Sequence, residues 1–280
     1  MDGSGNNRDE SASGRRLAPR ERKEKIASIL SRSGYASIAS LSERLGVSEM
    51  TIRRDLDALV QDGVIERAHG GAVAPLAVRS LRMDVTEPAI DERIGRNRVQ
   101  KMRIGALAAS LVQRDQTIAI DIGSTPLILA QALAQTDVRI FTSSLKIGLL
   151  LSTGKPRLYM PGGEVRGREP SMVGPMACAA LEDYHFDWLF LGASGLAADG
   201  LFDYSLEDTE VKKALIARSG RVVALIDSSK FDRVSIVRVC QLDAIDILIT
   251  DRAPEGVLAH RLAEADVEVR VASASMAASA

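Results

Sequence analysis

Apolar positions along this chain follow two different periods, and each predicts its own kind of element. Up to about Leu59 they recur at three- and four-residue spacing. Ile26, Ile29 and Leu30 share one face of a helix that Pro19 opens, where its missing N–H costs nothing, and that Gly34 stops. After a short link, Tyr35-Ala36-Ser37, Leu41 and Leu45 turn inward from a second helix over about residues 38–45. Ile52, Leu56 and Leu59, at i, i+4 and i+7, form the buried stripe of a third. Gly46 takes the positive φ of a sharp turn between the last two, Ser48 is an N-cap by type, and Gly63 is a C-terminal stop. Residues 64–73 then predict two short strands around a turn holding Arg67, His69, Gly70 and Gly71, a β-wing beside the helices.

Residues 74–88, with Pro75 and Pro88 among mixed polar residues, read as a linker. Helical spacing returns from Ala89 to about Val112, with Ile104, Leu107, Ala108 and Leu111 as its apolar stripe. Arg93, Asn97 and Lys101, four apart, fall along one face of it, which by itself reads as a solvated charged stripe at the domain edge. From Gln116 onward the period changes. Short apolar runs at 117–120, 138–141, 157–160, 188–191, 222–226, 247–249 and 267–269 alternate with helical stretches, among them 171–181 and about 207–217. That alternation predicts an α/β fold with a mainly parallel sheet and helices on both faces.

At 280 residues the chain is long enough for two domains. The boundaries expected are a disordered tail 1–14, a helical head 15–73, the linker 74–88, an α/β body 89–271 and a loose tail 272–280. No apolar run approaches the ~20 residues that span a bilayer, and the N-terminus has no hydrophobic stretch behind it, so a cytoplasmic protein without membrane contact is expected. Cys178 and Cys240 stand far apart, without His or Cys at ligand spacing, and read as reduced thiols. Neither a metal nor a cofactor is expected. The net charge of −1 argues against a general nucleic-acid coat. Residues 15–71, however, carry eleven Lys/Arg against eight Asp/Glu, or +3, which leaves the remainder at −4. A modestly basic head on an acidic body suits a sequence-specific DNA binder.

The third helix sharpens that expectation. Counting about 100° per residue from Ile52 puts Met50, Thr51 and Arg54 on its outer side and Arg53 on the flank. An apolar back and two adjacent arginines suit the major groove, where Arg grips guanine O6 and N7 together. Arg67 and His69 in the wing are candidates for phosphate or minor-groove contact, although a turn histidine is often only a surface residue.

In the α/β half, a ligand is expected where strands run out into helices. The loops there are Asp121-Ile122-Gly123-Ser124-Thr125, Thr142-Ser143-Ser144, Pro161-Gly162-Gly163-Glu164, Gly192-Ala193-Ser194-Gly195 and Asp227-Ser228-Ser229-Lys230. Glycines, hydroxyls, free helix N–H groups and one lysine describe a cradle for a small phosphorylated sugar or polyol. Each loop alone is as well explained as a helix cap.

Ser48-Glu49-Met50-Thr51-Ile52-Arg53-Arg54-Asp55-Leu56, followed by Gly63 and by His69-Gly70-Gly71-Ala72, resembles the DNA-binding signature of the DeoR family of transcription regulators. Residues 121–125, 142–145, 161–163, 171–174, 210–212 and 227–231 resemble that family's effector domain, and the spacing of Arg93, Asn97 and Lys101 also resembles the family, with a solvated stripe as the equal alternative. The resemblance implies a winged helix-turn-helix joined to a sensor domain that resembles ribose-phosphate isomerase in fold. It also implies a repressor of a carbohydrate or polyol operon, with operator DNA and a phosphorylated sugar or polyol as partners. By that resemblance the DNA-binding residues are Ser48, Met50, Thr51, Arg53, Arg54, Arg67 and His69. The effector-binding residues are Asp121, Gly123, Ser124, Thr125, Thr142, Ser143, Ser144, Gly162, Gly163, Glu164, Gly192, Glu210 and Lys230. Two departures bear on ligand choice: Ser143 stands where the family usually has Asn, and Pro126 where a Thr is common. One short helix reads few base pairs, so a homodimer or homotetramer is expected. The alternative is a sugar-phosphate isomerase with an extra N-terminal domain, using Asp121, Glu210 and Lys230. A constitutive DNA binder with a vestigial pocket is a third reading.

Overall fold

In the computed structural model, which describes residues 17–33, 35–68, 70–73 and 81–272, Pro19 opens α1 (Pro19–Ser33). The chain divides into two compact units, residues 1–79 and 80–280. In the first, α1 lays Ile26 and Leu30 against Leu41 of α2 (Ile38–Leu45) and Ile52, Leu56 and Leu59 of α3 (Glu49–Gln61). Ser37 caps α2, its Oγ accepting the Ser40 N–H at 3.1 Å. Gly46, at φ 64°, turns the chain into α3.

The expected link Tyr35-Ala36-Ser37 is instead a strand, β1 (Tyr35–Ser37). It pairs antiparallel with β3 (Gly71–Val73), which also pairs with β2 (Glu66–Ala68), giving a three-stranded sheet in the order β1-β3-β2. Three residues show no alternation in sequence, so the pairing was invisible there. The adjacent glycines of the wing have separate tasks. Gly70 adopts φ 71°, while a side chain on Gly71 would strike the Ala36 carbonyl of β1. His69 lies outside the described residues.

The second unit is built on seven parallel strands: β5 (Thr117–Ile120), β6 (Arg139–Phe141), β7 (Arg157–Tyr159), β10 (Trp188–Leu191), β13 (Val222–Leu225), β16 (Ile247–Thr250) and β17 (Glu268–Val271). Their order is β17-β16-β13-β10-β5-β6-β7. Alternate residues serve opposite cores, as strand geometry requires. Ile118, Ile120, Phe190, Val223 and Leu225 face a layer containing α5 (Arg98–Ala109), α6 (Ser124–Leu133) and α7 (Leu145–Leu151). Ala119, Leu189, Leu191, Val222 and Ala224 face α8 (Pro175–Ala179), α9 (Leu206–Ala217) and α10 (Gly256–Glu264).

Three expectations change. The helix expected at 171–181 is the hairpin β8 (Glu164–Arg166) and β9 (Ser171–Val173) followed by the five-residue α8. The helix expected from Ala89 breaks into α4 (Ile90–Gly95) and α5, because Asn97 between them is left-handed at φ 51°. Arg93, Asn97 and Lys101 therefore do not share one helix face. The expected linker is ordered at its end. Residues 74–80 lie outside the description, but β4 (Arg82–Met83) pairs in parallel with β14 (Arg233–Val234). The tail 1–14 also lies outside the description, as does the other tail except for its first residue, Ala272, which is buried in the core. A second small sheet, β11 (Gly195–Ala197), β12 (Gly200–Asp203) and β15 (Val237–Cys240), completes the unit. No helix is long and apolar enough to cross a membrane among the described residues.

Candidate DNA-binding face and effector site

Ser48 fixes where α3 starts. Its Oγ accepts the Thr51 N–H at 3.3 Å and lies 2.9 Å from Thr51 Oγ1. From that start the helical period puts Ile52, Asp55, Leu56 and Leu59 inside and leaves Met50, Arg53 and Arg54 exposed, with Thr51 half-exposed. Arg53 meets Glu49 at 3.8 Å, a loose surface pair of little energetic weight. Among the described residues Arg54 has no ion pair or side-chain hydrogen bond, so its guanidinium is free to meet a base edge.

Arg67 is exposed, in β2 of the wing. Its guanidinium pairs with Asp57 and donates to the Arg53 carbonyl at 3.3 Å, fastening the wing to α3. Asp55, within the signature run, is buried. Both its oxygens take the Arg22 guanidinium, with Nη2–Oδ1 at 3.1 Å, and this fork ties α1 to α3. The sequence gives no sign of that pair, because both residues look like ordinary helix-surface charges.

At the other unit the five expected loops leave the carboxyl ends of β5, β6, β7, β10 and β13, along one edge of the parallel sheet. Ser144 caps α7, accepting the Ile147 N–H at 3.3 Å, and Thr142 Oγ1 accepts the Ser144 N–H at 3.1 Å. Two of the three hydroxyls of that loop are thus occupied by the fold. Ser143 is buried beside them. Ser124 and Thr125 are also buried, in the first turn of α6, where Gly123 adopts φ 123°. Among the described residues Thr125 Oγ1 has no hydrogen-bond partner. Gly192 must be glycine, since a Cβ there would come within 2.8 Å of the Ile122 carbonyl and 3.1 Å of Pro126.

Asp121 lies beneath this edge, 1% exposed. It accepts the Gly192 N–H at 2.9 Å and pairs with Lys212 of α9, whose ammonium also reaches the Gly192 carbonyl at 3.1 Å and Asp203 at 3.2 Å. Burial pushes the Asp121 carboxyl up to about 6 against the pull of Lys212. Burial alone would lower Lys212, but Asp121 and Asp203 outweigh it and hold the ammonium charged. Lys212 lies in the run 210–212 that resembles the family's effector domain but is not among the expected effector-binding residues, although it stands four residues after Asp208 on the inward stripe of α9.

Glu210, by contrast, is on the outer side of that helix. It is exposed and faces Cys178 of α8, so the structure does not bring it to Asp121. Glu164 is likewise exposed, in β8. Gly162 and Gly163 make room for packing: a Cβ on Gly163 would lie 2.6 Å from the Val173 carbonyl, and one on Gly162 3.0 Å from Met176 Sδ. The trio Asp121, Glu210 and Lys230 expected of an isomerase is therefore not assembled.

Lys230 stands in the loop after β13 and donates to the Ala193 carbonyl. Asp227 in the same loop accepts from Ser229 and, at 2.9 Å, from Asn97 Nδ2. Burial raises Asp227, but Lys230, Ser229 and Lys101 outweigh it and the net shift is downward. Nearby, Arg93 pairs with Glu169 and reaches Glu87 at 3.5 Å, while Arg166 joins Glu87 to Asp208, the latter at 2.8 Å. Among the described residues no cluster of His, Cys, Asp and Glu suits a metal.

Residues 22–76 match the model of the DeoR-like helix-turn-helix domain, and residues 96–252 that of the DeoR C-terminal sensor domain. The chain is 33% identical to the HTH-type transcriptional regulator GolR of Listeria innocua serovar 6a, over 91% of this chain and all of that one. It is 32% identical to the glycerol-3-phosphate regulon repressor of Escherichia coli K12, over 82% of this chain and 89% of that one. It is 32% identical also to the lactose phosphotransferase system repressor of Streptococcus mutans serotype c, over 82% and 91%. Among solved structures, ribose 5-phosphate isomerase A of Methanocaldococcus jannaschii aligns at a TM-score of 0.37 and 19% identity, over 48% of this chain and 55% of that one.

Proposed function

This chain belongs to the DeoR family of transcription regulators, and from that premise we propose that it represses a carbohydrate or polyol catabolic operon until a phosphorylated sugar or polyol binds its second unit. The observation that carries the reading is the pairing of two surfaces in one chain. One is a capped helix with Met50, Thr51, Arg53 and Arg54 facing outward. The other is a sheet edge where Ser124, Thr125, Thr142 to Ser144, Gly192 and Lys230 gather. Two relatives are named for a glycerol-3-phosphate regulon and a lactose phosphotransferase system, which supports that class of effector. The assigned roles are base and phosphate contact for Ser48, Met50, Thr51, Arg53 and Arg54, and effector contact for the sheet-edge residues. Arg67 positions the wing. Asp121 and Lys212 hold the floor beneath the site. The protein works in the cytoplasm as a homodimer or homotetramer, since one short helix cannot specify a genomic site.

The fold offers a route between effector and operator. β4, which follows the head in the chain, is paired with β14, a few residues beyond Lys230. Tyr204 Oη and Ser235 Oγ donate to Asp84 just after β4. A ligand that moves the loop at Lys230 thus bears on the segment leading to the head. It shifts the population only as far as its affinities for the two arrangements differ.

Fluorescence anisotropy on DNA taken upstream of this protein's gene and its neighbours, at fixed salt, tests the reading. Tight binding released by one member of a panel of sugar and polyol phosphates supports it. Binding no tighter than to scrambled DNA refutes the operator role, and tight binding that no phosphate relieves refutes the effector class.

A further inference from the structure

The spacing of Lys101 is compatible with a solvated charged stripe, and its burial rules that out. It is 3% exposed, in the first turns of α5. Its ammonium donates to the Arg93 carbonyl, just as that of Lys230 donates to the Ala193 carbonyl. Among the described residues neither lysine is in an ion pair with a carboxylate, whereas Lys212 has Asp121 and Asp203. Buried ammonium groups are ordinarily paired, because leaving water is costly for an isolated charge. Asn97, one turn before Lys101, donates to Asp227 Oδ1 at 2.9 Å and to Ser229 Oγ at 3.0 Å. The start of α5 is thereby pinned to the loop that carries Lys230.

We propose that Lys101 is a second phosphate-binding cation of the effector site, acting with Lys230 across the Asn97–Asp227 contact to hold one dianionic group. The proposal rests on the sugar-phosphate reading above and extends it to a residue of α5. The local charges support it. Lys101 faces Lys230 and Asp227 from the loop after β13 and Arg93 and Arg96 from α4 and its end; Arg93 is already committed to Glu169 and Glu87. Lys230 faces Asp227, Arg93, Asp203 and Lys212, of which Asp203 is already paired with Lys212; the two lysines therefore share Asp227 as their uncommitted carboxylate, and a phosphate dianion adds the negative charge that this pair of ammonium groups lacks. Burial and Lys230 lower the Lys101 ammonium to about 8, and burial lowers Lys230 as well. Both lysines hold a dianion only when protonated. Binding therefore raises their pKa, and affinity is full below about pH 8 and falls above it.

Calorimetric titration of the full chain with inorganic phosphate, and with sulfate as a dianion whose own charge is constant over this range, tests the assignment. Sulfate affinity of the wild type is expected to fall about tenfold or more between pH 7 and pH 9. Lys101→Met is expected to weaken phosphate binding on the order of 10- to 100-fold and to flatten the pH profile. Lys101→Arg, which keeps a charge that does not titrate, retains binding and flattens the same profile. Thermal melting of the ligand-free variants checks that each is folded, and Lys101→Arg carries the test if Lys101→Met is not. If Lys101→Met binds phosphate with wild-type affinity and pH dependence while Lys230→Met does not bind, the role of Lys101 is overturned and the effector reading stands. If the wild type binds neither anion nor any sugar phosphate, both fall together.

Discussion

Replacing Asp55 with alanine would strand the Arg22 guanidinium between α1 and α3. The two side chains are 10% and 7% exposed, and Arg22's further partner is the Leu17 carbonyl at 3.1 Å, which cannot neutralise it. Removing one member of a buried, doubly hydrogen-bonded pair costs about 3–5 kcal/mol, against about 0–1 kcal/mol for an exposed one. Whole domains are stable by only about 5–15 kcal/mol, so a small head loses most of its margin and operator binding goes with it. Native-state hydrogen exchange of the α3 amides reads the loss directly. Arg22→Met should cost a similar amount by stranding Asp55. The double change Arg22→Met with Asp55→Leu should recover most of it, since an apolar pair leaves no buried charge. A loss below about 1 kcal/mol in both single variants would refute the reasoning, because the pair would then behave as solvated. Unchanged α3 protection with weakened operator binding would instead make Asp55 a DNA-facing residue.

Arg54→Ala should cost roughly 1–3 kcal/mol of specific binding and narrow the gap between operator and scrambled DNA; an unchanged gap removes its base-reading role. Arg67→Met should leave the salt dependence of operator binding as it was, because the guanidinium is spent on Asp57 and Arg53; a slope smaller by about one would place it on a phosphate. Gly70→Ala should destabilise the head by about 1–2 kcal/mol through its left-handed backbone alone, whereas Gly71→Ala should also open the β1–β3 pairing, visible as faster exchange of the Ala36 and Ala72 amides. Lys212→Met leaves Asp121 buried without its cation, driving its raised pKa higher still. A carboxyl that binds its proton more tightly folded than unfolded loses stability as pH rises, so this variant should melt lower relative to wild type at about pH 8 than at about pH 5. A deficit that does not vary with pH would mean that Asp121 is not the group stranded.

The two-part plan is legible in the amino-acid order, because periodicity is a local property. Ile52, Leu56 and Leu59 at helical spacing, Ser48 before them and Gly46 and Gly63 at positive φ required nothing beyond neighbouring residues to place α3 and its exposed arginines. The parallel sheet followed in the same way from strands buried on both faces. Tertiary structure alone decided which polar residues are spent inside the protein. Arg22 and Asp55 lie 33 positions apart, and Asp121 and Lys212 lie 91 apart. A buried charge looks like a surface charge until its partner is known. The same holds for Glu210 and Lys212, two residues apart on α9. The helical angle sends one to solvent and the other beneath the site, and the face that is buried depends on what packs against it. Asn97 shows the third limit: a single left-handed residue broke a helix that periodicity had drawn through it, and in doing so set Lys101 against the loop of Lys230.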